Sequence, residues 1–266
     1  VSGCSVTENT PPSVTESSEA PISTENEETI ASQSDTSNEK SNLDETADQL
    51  AETLIQDYGV SGVQYAIIEN GNMLMSSVKG DVKSSDTVFG VASVSKMYIA
   101  ASTMILVDQG KVDLDMPLTN YINTFKMADE RYQKITPRML LNHSSGLYGS
   151  HYLGGITFVN ASNRNKDTLL SLLETEQLKA EPGEFSVYCN DGYQLLEIMI
   201  EEVSELAYHD FLSTNILEPM NLTKTTTPFA SSFDASNIAV MTLPGTENAL
   251  PVEMVNVTGT GGVYST

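Results

Sequence analysis

Ser93 and Lys96 lie in the first turn of a predicted helix, and this pair has the clearest chemical potential in the chain. The run 97–107 that follows is apolar and predicts a helix buried on nearly every face. Positions i and i+3 share a helix face, so the hydroxyl and the amine are predicted to be neighbours. Burial and the positive helix N-terminus both lower a lysine pKa from its usual ~10.4. A neutral lysine there could accept the serine proton and create a nucleophile. The spacing alone is common by chance and more often reflects a capping serine and a snorkelling lysine.

Tyr188 and Asn190 form a second polar pair, just before another predicted helix. Asp191 and Gln194 resemble a capping box that opens this helix. Because positions i and i+2 of an extended segment point the same way, the phenol and the amide are predicted to face one cleft. Each also has a structural alternative, a core tyrosine with a satisfied hydroxyl and a turn asparagine.

His143 ends a short predicted helix that has Pro137 in its first turn. A histidine at that position more often bonds backbone groups or interacts with the helix dipole than acts as a base. No carboxylate stands at a readable spacing from it. We therefore interpret His143 as structural rather than catalytic.

The elements that must position these residues belong to a mixed α/β fold. Apolar residues recur at helical spacing over 43–55, and the leucines of 169–173 indicate another helix. The apolar runs 63–69 and 72–78 are joined by Asn70-Gly71, a strong hairpin signal. The pattern predicts an antiparallel sheet with helices laid on it.

Composition excludes several classes of function. The 266 residues carry a net charge of −23, which argues against a nucleic-acid partner because phosphate contacts need lysine and arginine. The three histidines and two cysteines show no metal-ligand spacing, so no metal site is predicted. No apolar run is long enough to span a membrane.

The first four residues, Val1-Ser2-Gly3-Cys4, resemble a bacterial lipobox. That resemblance implies that residues 1–3 are residual signal peptide, that Cys4 is lipidated, and that the protein is extracytoplasmic, held to a bacterial membrane by the lipid alone. Residues 4–42 are rich in Ser, Thr, Glu and Asn and predict a disordered tether. The alternatives are a chance tetrapeptide and a terminus without a purpose.

Four segments in order give the folded part, about 43–266, a family resemblance. They are Val91 to Lys96, the Ile135 to Leu147 segment of the form I-T-x-R-x-L-L-x-H-x-S-G-L, Pro182-Gly183 with the Y-x-N motif and helix of 188–196, and Gly259 to Thr266. They resemble the serine β-lactamase and penicillin-binding superfamily, especially class C β-lactamases, D-alanyl-D-alanine carboxypeptidases and related esterases. The resemblance implies an antiparallel sheet flanked by helices with an inserted all-α subdomain at about 116–254.

The same resemblance implies residue roles. Ser93 would be the acylated nucleophile and Lys96 its proton acceptor or the group that tunes it. Tyr188 would pass the proton to the leaving group, while Asn190 would hold Lys96 and bond the substrate. The Ser93 backbone N–H would supply half of an oxyanion hole, and one such donor contributes ~2.7–4 kcal/mol. No cofactor is implied, since this chemistry needs only side chains and water.

One departure concerns the third motif of the superfamily, K-T-G or H-x-G, which does not occur. We interpret the chain as truncated before the last strands and closing helix, and expect the 266 residues alone to be poorly folded or inactive. The expected function is an acyl-hydrolase for D-alanyl peptides, β-lactams or esters, with carboxypeptidase or esterase activity favoured. The alternative is a non-enzymatic lipoprotein that binds cell-wall peptides or β-lactams. The oligomeric state is left open.

Overall fold

The computed structural model describes residues 28–151, 156–157, 166–242, 250–252 and 254–266. The chain divides into two compact units, 1–46 and 47–266. The predictions for Cys4, the residual signal peptide and the tether as far as residue 27 lie outside the described residues. None of the described helices is both long and apolar enough to cross a bilayer.

Helix α1 (Glu28–Tyr58) begins well before the predicted start at Leu43. The stretch 28–42, predicted to be disordered tether, is therefore helical. The helix is possible there because neither glycine nor proline interrupts the chain between Pro21 and Gly59, and several of its residues are good helix formers.

Strands β1 (Gly62–Glu69) and β2 (Asn72–Gly80) form the predicted antiparallel hairpin. Its turn residues Asn70 and Gly71 have φ of 50° and 78°. Two positive φ angles suit the right-handed twist of the strands, and asparagine and glycine tolerate them best. Local turn chemistry thus fixes the hairpin, as predicted.

Two shorter strand pairs join segments that are far apart in sequence. Strand β3 (Phe89–Gly90) pairs with β6 (Tyr264–Ser265), and β4 (Ile156–Thr157) pairs with β5 (Met254–Val255). Within the described residues the strands thus form three two-stranded antiparallel sheets. The β3–β6 pair brings the glycine-rich end of the chain beside Ser93.

The helices pack around α5 rather than around the helix that follows Ser93. The remaining helices are α2 (Lys96–Asp108), α3 (Pro137–Leu141), α4 (Lys166–Leu173), α5 (Asn190–Ser204), α6 (Tyr208–Leu212) and α7 (Thr258–Gly261). Every residue of α5 from Asp191 to Glu201 is buried. Helices α2, α3, α4, α6 and α7 all contact α5.

The prediction that α2 is buried on nearly every face is wrong. Ile99 and Leu106 are fully buried, but Met97 and Met104 are 65% and 42% exposed. Those two methionines are seven residues apart and share one face, and no element among the described residues covers it. An apolar run marks a helix, but it does not specify how many neighbours surround the helix.

Candidate active site

Ser93 stands on a strained turn immediately before α2. A short 3₁₀ turn, Ala92–Ser95, precedes the α-helix, so Ser93 and Lys96 do not share an α-helical first turn as predicted. Ala92 has φ of 45°, a left-handed conformation that costs roughly 1–2 kcal/mol for a residue with a Cβ. Ser93 itself is exposed, while Lys96 is 7% exposed. The turn thus separates an accessible hydroxyl from a buried amine.

The structure brings three of the predicted side chains together. The Tyr188 hydroxyl donates a hydrogen bond of 2.8 Å to Ser93 Oγ. Lys96 Nζ donates to the same oxygen at 3.3 Å and lies 5.0 Å from the Tyr188 ring centroid. Ser93 Oγ is therefore contacted by both groups that could move its proton.

Lys96 has a second hydrogen-bond partner that sequence reasoning missed. Its Nζ donates to the Thr260 carbonyl at 2.8 Å, on helix α7. Helix α7 is held in turn by the buried carboxylate of Glu197, which accepts the Gly259 N–H at 2.7 Å. The glycine-rich pattern of 259–262 was the only available signal, because a backbone acceptor leaves no side-chain signature.

The Tyr188 phenol is tuned by its surroundings. Burial raises its pKa, but hydrogen bonds with Lys96 and Ser93 and the charge of Lys96 together outweigh burial. The pKa of Tyr188 therefore lies below the usual 10.0. A lowered pKa makes the phenolate form more accessible, and a phenolate next to a hydroxyl is suited to accept and return a proton.

Asn190 lies beside this cluster but has a different partner from the one expected. Its Nδ2 donates to Ser150 Oγ at 2.9 Å, and no described hydrogen bond joins it to Lys96. Its Oδ1 is buried and has no hydrogen-bond partner among the described residues. The amide nitrogen thus points towards the loop that carries Ser150.

The predicted capping box of Asp191 and Gln194 is wrong. Helix α5 has no side-chain hydrogen bond at its N-cap. The Asp191 carboxylate instead accepts the backbone N–H of His151 and contacts its Nδ1, both at 2.7 Å. Burial raises the pKa of Asp191, and the bonds to His151 oppose that shift without cancelling it. A partner from a distant loop has displaced the local cap.

His143 has a backbone partner, the kind of contact expected for a structural histidine. Its Nδ1 accepts the Cys189 N–H at 3.1 Å. Its ring centroid lies 4.5 Å from that of Tyr188 and 5.1 Å from that of Tyr193. Burial, followed by the charge of Lys96, lowers the pKa of His143 from 6.5.

In the part of the chain that the structure describes, neither the Cys189 thiol nor a metal-binding cluster forms a second reactive site. Cys189 is buried, and burial raises the pKa of its thiol to about 11, so little reactive thiolate forms. No group of three or more His, Cys, Asp or Glu side chains could hold a metal ion there.

The family model described as Beta-lactamase matches residues 47–266. The chain belongs to the β-lactamase family. The match includes Ser93, Lys96 and Tyr188, so the three clustered side chains lie inside the family domain.

Curated relatives match part of the chain. Penicillin-binding protein 4* of Bacillus subtilis (strain 168) is 33% identical over 147 residues, which cover 53% of this chain and 31% of the relative. Protein flp of Staphylococcus aureus (strain N315) is 26% identical over 186 residues, 67% of this chain and 37% of the relative. The chain therefore matches about a third of the length of these relatives.

Solved structures confirm the fold expected for the β-lactamase family. A class C β-lactamase superposes with a TM-score of 0.72 at 20% identity, covering 85% of this chain and 62% of that one. A D-stereospecific amidohydrolase from Streptomyces sp. gives a TM-score of 0.65 at 21% identity, covering 78% of this chain and 65% of that one. The mixed α/β architecture predicted from the sequence is therefore correct.

Proposed function

We propose that the full-length protein containing this chain is a serine acyl-hydrolase that works through an acyl-enzyme on Ser93. The observation that carries the proposal is the double contact at Ser93 Oγ, with Tyr188 at 2.8 Å and Lys96 at 3.3 Å. An exposed hydroxyl with two adjacent proton-handling groups is the arrangement that nucleophilic catalysis requires. A protein that only binds ligands has no need of it.

The proposed reaction divides into two proton-balanced steps. The step begins from the phenolate form of Tyr188, which the charge of Lys96 favours. As Ser93 Oγ forms a bond to the substrate carbonyl carbon, its proton passes to the phenolate oxygen, and Tyr188 becomes a neutral phenol. The bond between that carbon and the leaving group then breaks, and Tyr188 returns the proton to the leaving group. Water attacks the resulting ester by the reverse route and releases the acid. The charge of Lys96 stabilises the phenolate form of Tyr188 and so tunes it for both steps.

Two further groups are proposed to bind the substrate. The backbone N–H of Ser93 would donate to the developing oxyanion. Asn190 would bind the substrate amide or carbonyl by exchanging its hydrogen bond with Ser150 for one to the substrate. No cofactor takes part, because side chains and water supply every proton in the scheme.

The substrate class we propose is a D-alanyl peptide, a β-lactam or a simple ester, and carboxypeptidase or esterase activity is favoured. The names of the relatives support this range: one is a penicillin-binding protein, and the fold is shared with a class C β-lactamase and a D-stereospecific amidohydrolase. The substrate would be a small molecule or a cell-wall peptide, with no nucleic-acid partner.

We also propose that the protein acts outside the cytoplasm and is anchored by a lipid on Cys4. The lipobox-like tetrapeptide and the polar stretch that follows it support this placement. Metabolic labelling with an alkyne fatty acid in a bacterial host tests it. We expect label on the wild type and none on Cys4→Ala, with Cys189→Ala as the matched control; label retained by Cys4→Ala would contradict the anchor.

The test of activity uses the full-length protein with fluorescent penicillin and p-nitrophenyl acetate. We expect Ser93→Ala to abolish covalent labelling and ester turnover. Ser95→Ala, which removes a buried serine that accepts the Val263 N–H, should keep both. A label that never leaves, with no ester turnover, would overturn the hydrolase in favour of a binding protein, and turnover unchanged in Ser93→Ala would overturn the nucleophile.

A further inference from the structure

His143 accepts one hydrogen bond from the residue before Tyr188 and one from the residue after it, and we call this pair of bonds the bracket. Its carbonyl accepts the Val187 N–H at 3.0 Å, and its Nδ1 accepts the Cys189 N–H at 3.1 Å. The residue between those two bonds is Tyr188, whose ring lies 4.5 Å from the imidazole, centroid to centroid. One residue thus fixes the backbone before and after the phenol as well as one face of its ring.

The conformation of His143 makes this bracket possible. Its φ is 63°, in the left-handed region that non-glycine residues rarely adopt. His143 lies just after the end of α3, and its N–H still donates to the Leu140 carbonyl. The strained backbone therefore indicates that interactions outside the helix hold His143 in this conformation.

The bond to Cys189 also defines the protonation state of the imidazole. An imidazole nitrogen can accept a hydrogen bond only when it carries no proton, so Nδ1 is bare and the ring is neutral. The titratable groups that face the ring are Lys96 from α2, Tyr193 from α5, and Tyr188 with Cys189 from the bracketed segment. Burial and the Lys96 charge both oppose a proton on His143. Protonation would turn Nδ1 into a donor facing the Cys189 N–H and break the bracket.

We propose that neutral His143 is a positioning residue that holds the Tyr188 phenol against Ser93, and that protonation of His143 releases the segment and switches acylation off. This inference rests on the proposed function, because it assigns a role in the same reaction. It predicts an inflection in kcat/KM below about pH 6.5, the ordinary value from which the His143 pKa is lowered.

Two variants separate the bonds from the titration. Glycine adopts positive φ without strain, so His143→Gly keeps the backbone path and loses both the Nδ1 acceptor and the ring. Asparagine also tolerates this region, and its Oδ1 can replace Nδ1 as an acceptor that does not titrate. We expect His143→Gly to lower kcat by roughly 10²-fold with a smaller change in KM, since misplacing a reacting group by about 1 Å has that effect. We expect His143→Asn to recover part of kcat and to lose the inflection below pH 6.5.

A double-mutant cycle with Tyr188→Phe distinguishes positioning from general support of the fold. If His143 acts through the phenol, His143→Gly should cost nothing further once that hydroxyl is absent. An equal loss in both backgrounds would overturn the proposal, as would wild-type kcat in His143→Gly or an unchanged inflection in His143→Asn. Thermal melting of each variant identifies loss of the fold, and the cycle can be repeated with His143→Asn in place of glycine.

Labelling of wild-type Ser93 is measured first. If it fails, the proposed function fails, whereas labelling without any dependence on residue 143 refutes this inference alone.

Discussion

At the residue scale, two side chains contact the hydroxyl oxygen of Ser93. Tyr188 donates to its Oγ, and the buried Lys96 contacts both the serine and the phenol ring. Lys96 is in turn fixed by the Thr260 carbonyl. The proposed nucleophile thus depends on three separate segments, which carry Ser93 with Lys96, Tyr188 and Thr260.

Replacing Tyr188 by phenylalanine tests the phenol directly. The change removes the group proposed to carry the proton but keeps the ring, so we expect kcat for p-nitrophenyl acetate to fall by about 10²- to 10⁴-fold. Tyr193→Phe is the matched control. Its ring lies 5.4 Å from Lys96 Nζ, but its hydroxyl donates to the Leu141 carbonyl. Equal losses in the two variants would contradict a specific role for Tyr188.

At the element scale, the short helix α7 connects α5 to α2. Glu197 of α5 accepts the Gly259 N–H, and the Thr260 carbonyl accepts Lys96 Nζ. The connection requires close approach, because a Cβ on Gly259 would lie 2.3 Å from the Cδ1 atom of the fully buried Ile99. The glycine-rich sequence there is a packing requirement of the site.

Gly259→Ala tests this packing requirement. Overpacking against Ile99 should destabilise the full-length protein by about 1–3 kcal/mol and lower the rate of Ser93 labelling, since the Lys96 acceptor shifts. In Gly261→Ala the new Cβ meets nothing closer than 3.8 Å, the distance to the Ala92 backbone. Chemical denaturation and penicillin labelling of both variants provide the comparison. A Gly259→Ala protein as stable and as reactive as Gly261→Ala would refute the packing account.

Elements governed by local chemistry were predictable from the sequence, and those governed by distant partners were not. The Asn70-Gly71 hairpin and helix α3 followed their turn and proline signals, and in α3 the Thr136 hydroxyl caps the helix. Asp191 did not cap α5, because His151 from a remote loop binds its carboxylate. The partner of Asn190 was missed for the same reason.

The site shows the same division. The residue types and the S-x-x-K and Y-x-N motifs indicated Ser93, Lys96 and Tyr188, and the structure brings these three side chains together. The Thr260 carbonyl could not be read from sequence, since any residue type can supply it.

At the scale of the whole molecule, a net charge of −23 leaves few cations to pair with many carboxylates. In one cluster a single arginine pairs with two carboxylates. Arg131 donates to Asp129, Glu181 and the Leu178 carbonyl, and the Asp129 carboxylate also accepts the Leu178 N–H. The cluster joins the segment at 129–131 to the segment at 178–181. The Arg131 guanidinium, followed by the Leu178 N–H, holds the pKa of Asp129 well below its usual range.

This cluster predicts a specific acid sensitivity. Because the folded state depresses the pKa of Asp129, its contribution to stability is present above the unfolded value of ~3.9 and is lost as the pH falls through the folded value. We expect Asp129→Asn to lower the free energy of unfolding at pH 7 and to make its decline below pH 4 shallower. Urea denaturation at pH 7 and pH 3 measures both, with Glu130→Gln as the control. Parallel acid curves for wild type and Asp129→Asn would contradict the assignment.

The most direct test of the account is the position of the covalent label. The full-length protein is incubated with fluorescent penicillin or p-nitrophenyl acetate, quenched in acid, digested and analysed by mass spectrometry. We predict a single acylated peptide that contains Ser93, absent from Ser93→Ala, formed much more slowly in Tyr188→Phe, and released with time in the wild type. Acylation at any other residue, or acylation of Ser93 at an equal rate without the Tyr188 hydroxyl, would contradict the central claim that Tyr188 and Lys96 activate this serine.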